Sequence, residues 1–121
     1  MVIHQQFPDF VLFLYIHIAL TEGAMKQGHE AAILEKMKRL FPDSVELEEK
    51  LNTETRKYYD FDKRKLRAMF KDTFRSYSKV SFIQKYWVCS DLYDIACVGD
   101  NGTNDHMAAI EAVKEIIDIS L

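Results

Sequence analysis

The chain has 121 residues, 48% of them hydrophobic, a length and composition that fit one domain with a substantial core. Four Gly and two Pro leave little room for linkers or disorder. The net charge of −3 argues against a general nucleic-acid binder, yet it is unevenly spread: residues 1–55 carry −4, 56–75 carry +5 and 76–121 carry −4.

Residues 1–8 read as a short lead-in, with Asp9 capping the first helix or Pro8 in its first turn. Residues 10–20 are apolar at every position except His17. A helix that is apolar all round must be wrapped by others, so this one is expected at the centre of a bundle, ending at Gly23 in a left-handed cap. His17 reads as a core histidine bonded to a carbonyl or a Tyr hydroxyl. Eleven residues are too few for a membrane span of about 20. The basic segment and small-residue cleavage site of a signal peptide are also missing. A cytoplasmic protein without a membrane span is expected; peripheral membrane association is compatible with the sequence.

The next segment, 22–28, reads as a loop, followed by a helix over 29–41 with Ile33, Met37 and Leu40 inward, stopped by Pro42. Asp43 or Ser44 is expected to cap a third helix, with Asp43 and Glu46 forming a capping box and Leu47 and Leu51 inward. Residues 52–62 read as a further short helix, packed through Tyr58, Tyr59 and Phe61. Asp62 then caps a helix over 63–77, with Leu66, Met69, Phe70, Phe74 and Tyr77 on one face and Lys63, Arg64, Lys65, Arg67, Lys71 and Arg75 on the other. Ser78 or Ser81 opens a helix to residue 98 whose inward stripe is Phe82, Tyr86, Cys89, Tyr93 and Ala96, with Ile83 and Trp87 beside it. The run GDNGTN over 99–104 is the strongest turn signal, and a last helix over 105–119 turns Ile110, Val113, Ile116 and Ile117 inward. No segment alternates with period two. The expectation is an all-α, single-domain bundle of about six or seven helices.

Cys89 and Cys97, on one helix, would stand about 12 Å apart, too far for a disulfide, and both read as buried thiols in a reducing compartment. Shifting the chain by 77 residues lays 18–33 over 95–110 with six identities in sixteen positions. Ile18, Ala19, His29, Ala31, Ala32 and Ile33 match Ile95, Ala96, His106, Ala108, Ala109 and Ile110. The reading is a pseudo-two-fold bundle with helix–loop–helix units over about 10–41 and 82–119.

This pattern resembles the tellurite-resistance TerB-like family, in which a helix ends in an Asp-Gly turn before an amphipathic helix opening with Glu, and the unit recurs near the C-terminus. The matching residues here are 18–23 followed by His29 and Glu30, then 95–102 followed by Asp105 and His106. The resemblance implies an all-helical, non-enzymatic domain associated with stress responses and membrane-linked assemblies, with an acidic metal-binding patch. Glu22 stands where Asp is usual, His29 precedes Glu30, an Asn-Gly extends the second turn, and Met107 stands opposite Glu30.

Candidate sites follow from these residues. Glu22, Glu30, Asp100 and Asp105 would converge if the repeat folds as a pair, and carboxylates with loop carbonyls suit a divalent metal ion. His29 and His106 would extend that set toward a transition metal. The bland alternative places Glu30 and Asp105 in first turns, where the macrodipole favours them, and has both histidines neutral, facing solvent or bonding a loop. Lys63, Arg64, Arg67, Lys71 and Arg75 form a candidate stripe for an acidic partner or surface, unless it is a solvated face that draws in the chain's own acidic ends. No nucleophile or phosphate-loop motif occurs, so no catalytic residue is assigned. The function expected is a TerB-like binding or scaffold module, its protein partner unidentified. The alternatives are a metal-dependent hydrolase using His29, His106 and nearby carboxylates, or a self-associating helical protein without a ligand.

Overall fold

A computed structural model describes residues 2–77, 79–98 and 103–117. In chain order its elements are α1 (Phe7–Ala19), α2 (His29–Leu40), α3 (Leu47–Asp60), a 3-10 turn (Lys63–Lys65), α4 (Leu66–Arg75), α5 (Phe82–Ala96) and α6 (Asn104–Ile116). No strand occurs among the described residues, and the chain is the all-α bundle its periodicity implies.

The first helix is the hub. Every residue from Phe10 to Ala19 is buried except His17. It packs against α2, α3, α5 and α6, so each of its faces meets a neighbour. Burial of each large apolar side chain there contributes about 1.5–3 kcal/mol before ordering costs. Phe10 and Phe13 each meet the Phe70 ring of α4 edge-on at 6.0 Å. The chain leaves α1 through Gly23, at φ 113°, the left-handed geometry expected of a glycine there. Gly28 opens α2 at φ 94°, a conformation that favours glycine, and a β-carbon on it would stand a tight 3.1 Å from Val98 Cγ1.

Several local expectations are corrected. Asp9 does not cap α1: Gln6 is the N-cap, and Asp9 lies in the first turn with Pro8 near its start. Neither Asp43 nor Ser44 caps α3, and no capping box forms. The chain continues past them to Glu46, which takes a left-handed φ of 55° immediately before Leu47. Residues 52–60 are not a separate helix but the rest of α3. Their inward row is Leu47, Leu51, Glu54 and Tyr58. Glu54 holds its place in that row because His4 Nε2 meets its carboxylate at 2.9 Å. Asp62 does cap, accepting from Arg64 N–H at 3.0 Å, but it caps a 3-10 turn; α4 begins three residues later and ends at Arg75.

The fifth helix departs most from expectation. Ser81 is its N-cap, accepting from the Gln84 N–H at 3.2 Å; Ser78 lies outside the described residues. The inward row is Val88, Asp91, Leu92 and Ile95, with Cys89 and Ala96 also buried. Phe82 and Tyr86, read as core, sit about 130° to 170° round the helix from that row and are exposed, as are Ile83 and Trp87. Of the two thiols, Cys89 is buried and Cys97 is exposed, and both are free. Burial pushes the Cys89 thiol up to about 11. No helix among the described residues is long and apolar enough to cross a membrane.

Candidate interaction surface

The loop residues singled out by the repeat do related things. In the first unit the Lys26 N–H donates to His29 Nδ1 at 2.8 Å; in the second the Thr103 N–H donates to His106 Nδ1 at 3.3 Å. Lys26 and Thr103 are themselves 77 residues apart, so the same bond recurs at matched positions. Thr103 and His106 complete a reciprocal capping box at the start of α6, since Thr103 Oγ1 accepts from the His106 N–H at 3.2 Å. Both imidazoles are 2% exposed, buried rather than solvent-facing. Burial, offset in part by a hydrogen bond to the Ile95 backbone, lowers the His29 pKa; it is neutral near pH 7.

Glu22, Glu30 and Asp105 are exposed, and Glu30 and Asp105 occupy first turns. Asp100 lies outside the described residues. Among the described residues, no three His, Cys, Asp or Glu side chains gather where one ion would reach them all.

The basic stripe is divided. Arg64 folds back on Asp62 at 3.0 Å, and Arg67 donates to Glu115 Oε2 of α6 at 2.7 Å. The Lys63 ammonium donates to the Tyr58 carbonyl and, at 3.1 Å, to the Phe61 carbonyl. Lys71 is half-buried and Arg75 exposed. Part of the stripe is therefore drawn into contacts within the chain.

A different surface was not legible in the sequence. The first turns of α5 expose Phe82, Ile83, Tyr86 and Trp87, by 56%, 62%, 50% and 41%. Single exposed apolar residues are ordinary, whereas four on adjacent turns of one helix form a patch of the kind that marks interaction sites. Beside it, Arg39, Leu40 and Trp87 line a hollow of about 260 Å³. A second hollow of about 540 Å³ runs past Phe7, Pro8, Phe41, Tyr77 and Gln84. The patch is bordered by cations: Lys79 precedes α5, Lys85 lies over the Phe74 ring at 5.6 Å, and the Arg39 guanidinium stacks on Trp87 at 5.2 Å. Residues 82–90 contain no acidic side chain.

That stacked arginine is anchored from the core. Arg39 Nη2 donates to Asp91 Oδ1 at 2.5 Å, and the Tyr15 hydroxyl of α1 donates to Asp91 Oδ2 at 2.6 Å. Lys36 Nζ stands 4.0 Å from the same carboxylate and 3.2 Å from Asp94. Asp91 is fully buried. Burial raises its pKa, while the Tyr15 hydroxyl, Arg39 and Lys36 stabilise the ionised form. Burial and the adjacent carboxylate raise the Tyr15 hydroxyl well above the usual range. A connected row therefore runs from Tyr15 through Asp91 and Arg39 to the exposed face of Trp87. Asp91 stands on the inward row with Val88, Leu92 and Ile95, where an acid must be paired. No protein-family model matches this chain, and no curated protein or solved structure matches it either.

Proposed function

We propose that this chain is a non-enzymatic, TerB-like helical binding module that docks a protein partner on the first turns of α5. The observation that carries the reading is the exposure of Phe82, Ile83, Tyr86 and Trp87 together, with Arg39 held against Trp87 by a buried carboxylate. Trp, Tyr and Arg are the side chains that dominate binding hot spots, and a pre-positioned anchor loses less freedom when a partner arrives. Lys79, Lys85 and Arg39 border the patch, so a partner with apolar anchors and flanking carboxylates fits it best. A binding role is also in keeping with Cys89, whose buried surroundings shift the thiol away from its reactive thiolate form.

The test is affinity capture from the source cells with three baits: the wild type, Ile83→Ser with Trp87→Ser, and Lys71→Glu with Arg75→Glu. A partner held by the wild type, lost from the α5 variant and kept by the α4 variant supports the proposal. A partner lost only from the α4 variant moves the interface to the basic stripe. A partner retained equally by all three overturns both.

A further inference from the structure

The ends of α1, α3 and α4 meet α6 around a half-open groove of about 490 Å³. That lies within the range of about 300–1,000 Å³ typical of small-ligand sites. Its walls are apolar, with Leu66 and Phe70 from α4 facing Val113 and Ile116 from α6. Ala109 and Ala112 line the α6 side, and their short side chains leave the space open.

One region of the groove is polar. His17 Nδ1 and the Tyr58 hydroxyl lie 2.9 Å apart. Burial, then the charge of Lys63, holds His17 down to about 4, so it stays neutral near pH 7. The Lys63 ammonium sits 4.2 Å from the centre of the Tyr58 ring. It has three N–H donors, and the carbonyls of Tyr58 and Phe61 take two. Arg67 also lines the groove; its contact with Glu115 is open to solvent and readily exchanged. The lining therefore holds two cations and no carboxylate, beside a mostly apolar channel.

We propose that this groove binds a single-chain carboxylic acid, its hydrocarbon tail between α4 and α6 and its carboxylate at Lys63 and Arg67. The tail would replace water over the half-buried Ala109, Ala112 and Ile116, which supplies the driving force. The head group would meet charge-assisted donors, which favour the acid over the matching alcohol. This site uses none of the residues of the α5 patch, so the two readings stand or fall separately.

The experiment titrates dodecanoate, below the concentration at which it forms micelles, into the ¹⁵N-labelled chain and follows amide shifts by NMR. Saturable one-to-one binding with shifts concentrated at Phe70, Ala109 and Ala112 is expected. Ala112→Trp should fill the groove and weaken binding by at least about tenfold. Arg67→Gln should weaken dodecanoate by about fivefold, as loss of one exposed charge contact would, and leave dodecanol unchanged. If Ala112→Trp loses its helical spectrum, Ala109→Phe is read in its place. Absence of saturation, shifts centred on Trp87 instead, wild-type affinity in the groove-filling variant, or equal weakening of acid and alcohol by Arg67→Gln would each overturn the proposal.

Discussion

Helices α1 and α5 hold matched places in the repeated pattern, ending at Ala19 and Ala96, yet they meet solvent differently. The 77-residue shift sets Phe10 against Trp87. Phe10 is 0% exposed, under the rings of Phe70, Phe74 and Tyr77 from α4 and the segment after it. Trp87 is 41% exposed, with Arg39 stacked on it. The same shift sets His17 against Asp94. His17 is tucked beneath Tyr58 and held neutral, whereas Asp94 is exposed and pairs with Lys36. A large apolar side chain on a helix therefore does not fix its own burial. The covering layer does, and here α4 covers α1.

The sharpest way to break this comparison is to truncate the paired positions. Phe10→Ala should cost ~3–5 kcal/mol, because a fully packed ring leaves a cavity. Trp87→Ala should cost at most about 1 kcal/mol, mainly its contact with Arg39. Urea unfolding of the two variants checks this, and similar losses would mean that Trp87 is covered in solution.

Acid should separate the His17 and Asp94 positions next. The folded pKa of His17, about 4, lies below the unfolded value of 6.5, so the unfolded chain takes up its proton first. Stability from this residue is full above pH 6.5 and is lost as pH falls toward 4, by at most ~2–3 kcal/mol. His29, also lowered by burial, acts in the same direction. His17→Gln should flatten the fall in melting temperature between pH 7 and pH 4.5 relative to the wild type. An unchanged slope would show that His17 is solvated in solution.

Third in size is the link between the two helices. Tyr15→Phe removes the hydroxyl donated to Asp91 and leaves Arg39 and Lys36 on the carboxylate. The expected cost is ~1–2 kcal/mol, since a buried acceptor loses one of its donors. It should be accompanied by looser stacking of Arg39 on Trp87, read as a red shift in the emission of the chain's single Trp. A destabilised variant with unshifted emission would show that the row from core to surface is not mechanically connected.

How legible these features were depends on whether their causes were local. The burial of α1 is written in an apolar run broken only by His17, and the loop histidines are written in the repeat. The continuity of α3 was not visible, because Glu54 occupies an inward position and is satisfied by His4, 50 residues away. The inward row of α5 was misread for a related reason. Apolar residues fall on two of its faces, and only the packing of α1, α2 and α6 decides which is covered. The groove between α4 and α6 was invisible, since its emptiness depends on Ala109 and Ala112 standing opposite Phe70.

The smallest expected effect concerns the uncovered face itself. Phe82 is 56% exposed in the first turn of α5, and Ile83 is 62% exposed beside it. Replacing both by Ser removes apolar surface that is largely in water in both the folded and unfolded states. The transfer contribution is therefore small, and the stability change should stay within ~0.5 kcal/mol. Helix propensity adds little, since Ser, Phe and Ile lie close together on that scale. Solubility should instead rise, because exposed apolar patches promote association. A loss of several kcal/mol in chemical unfolding would mean that this face is buried in solution, either by the chain itself or by a second copy. Dilution separates those two cases: a midpoint that falls with protein concentration belongs to an assembly, and a constant one belongs to the folded monomer.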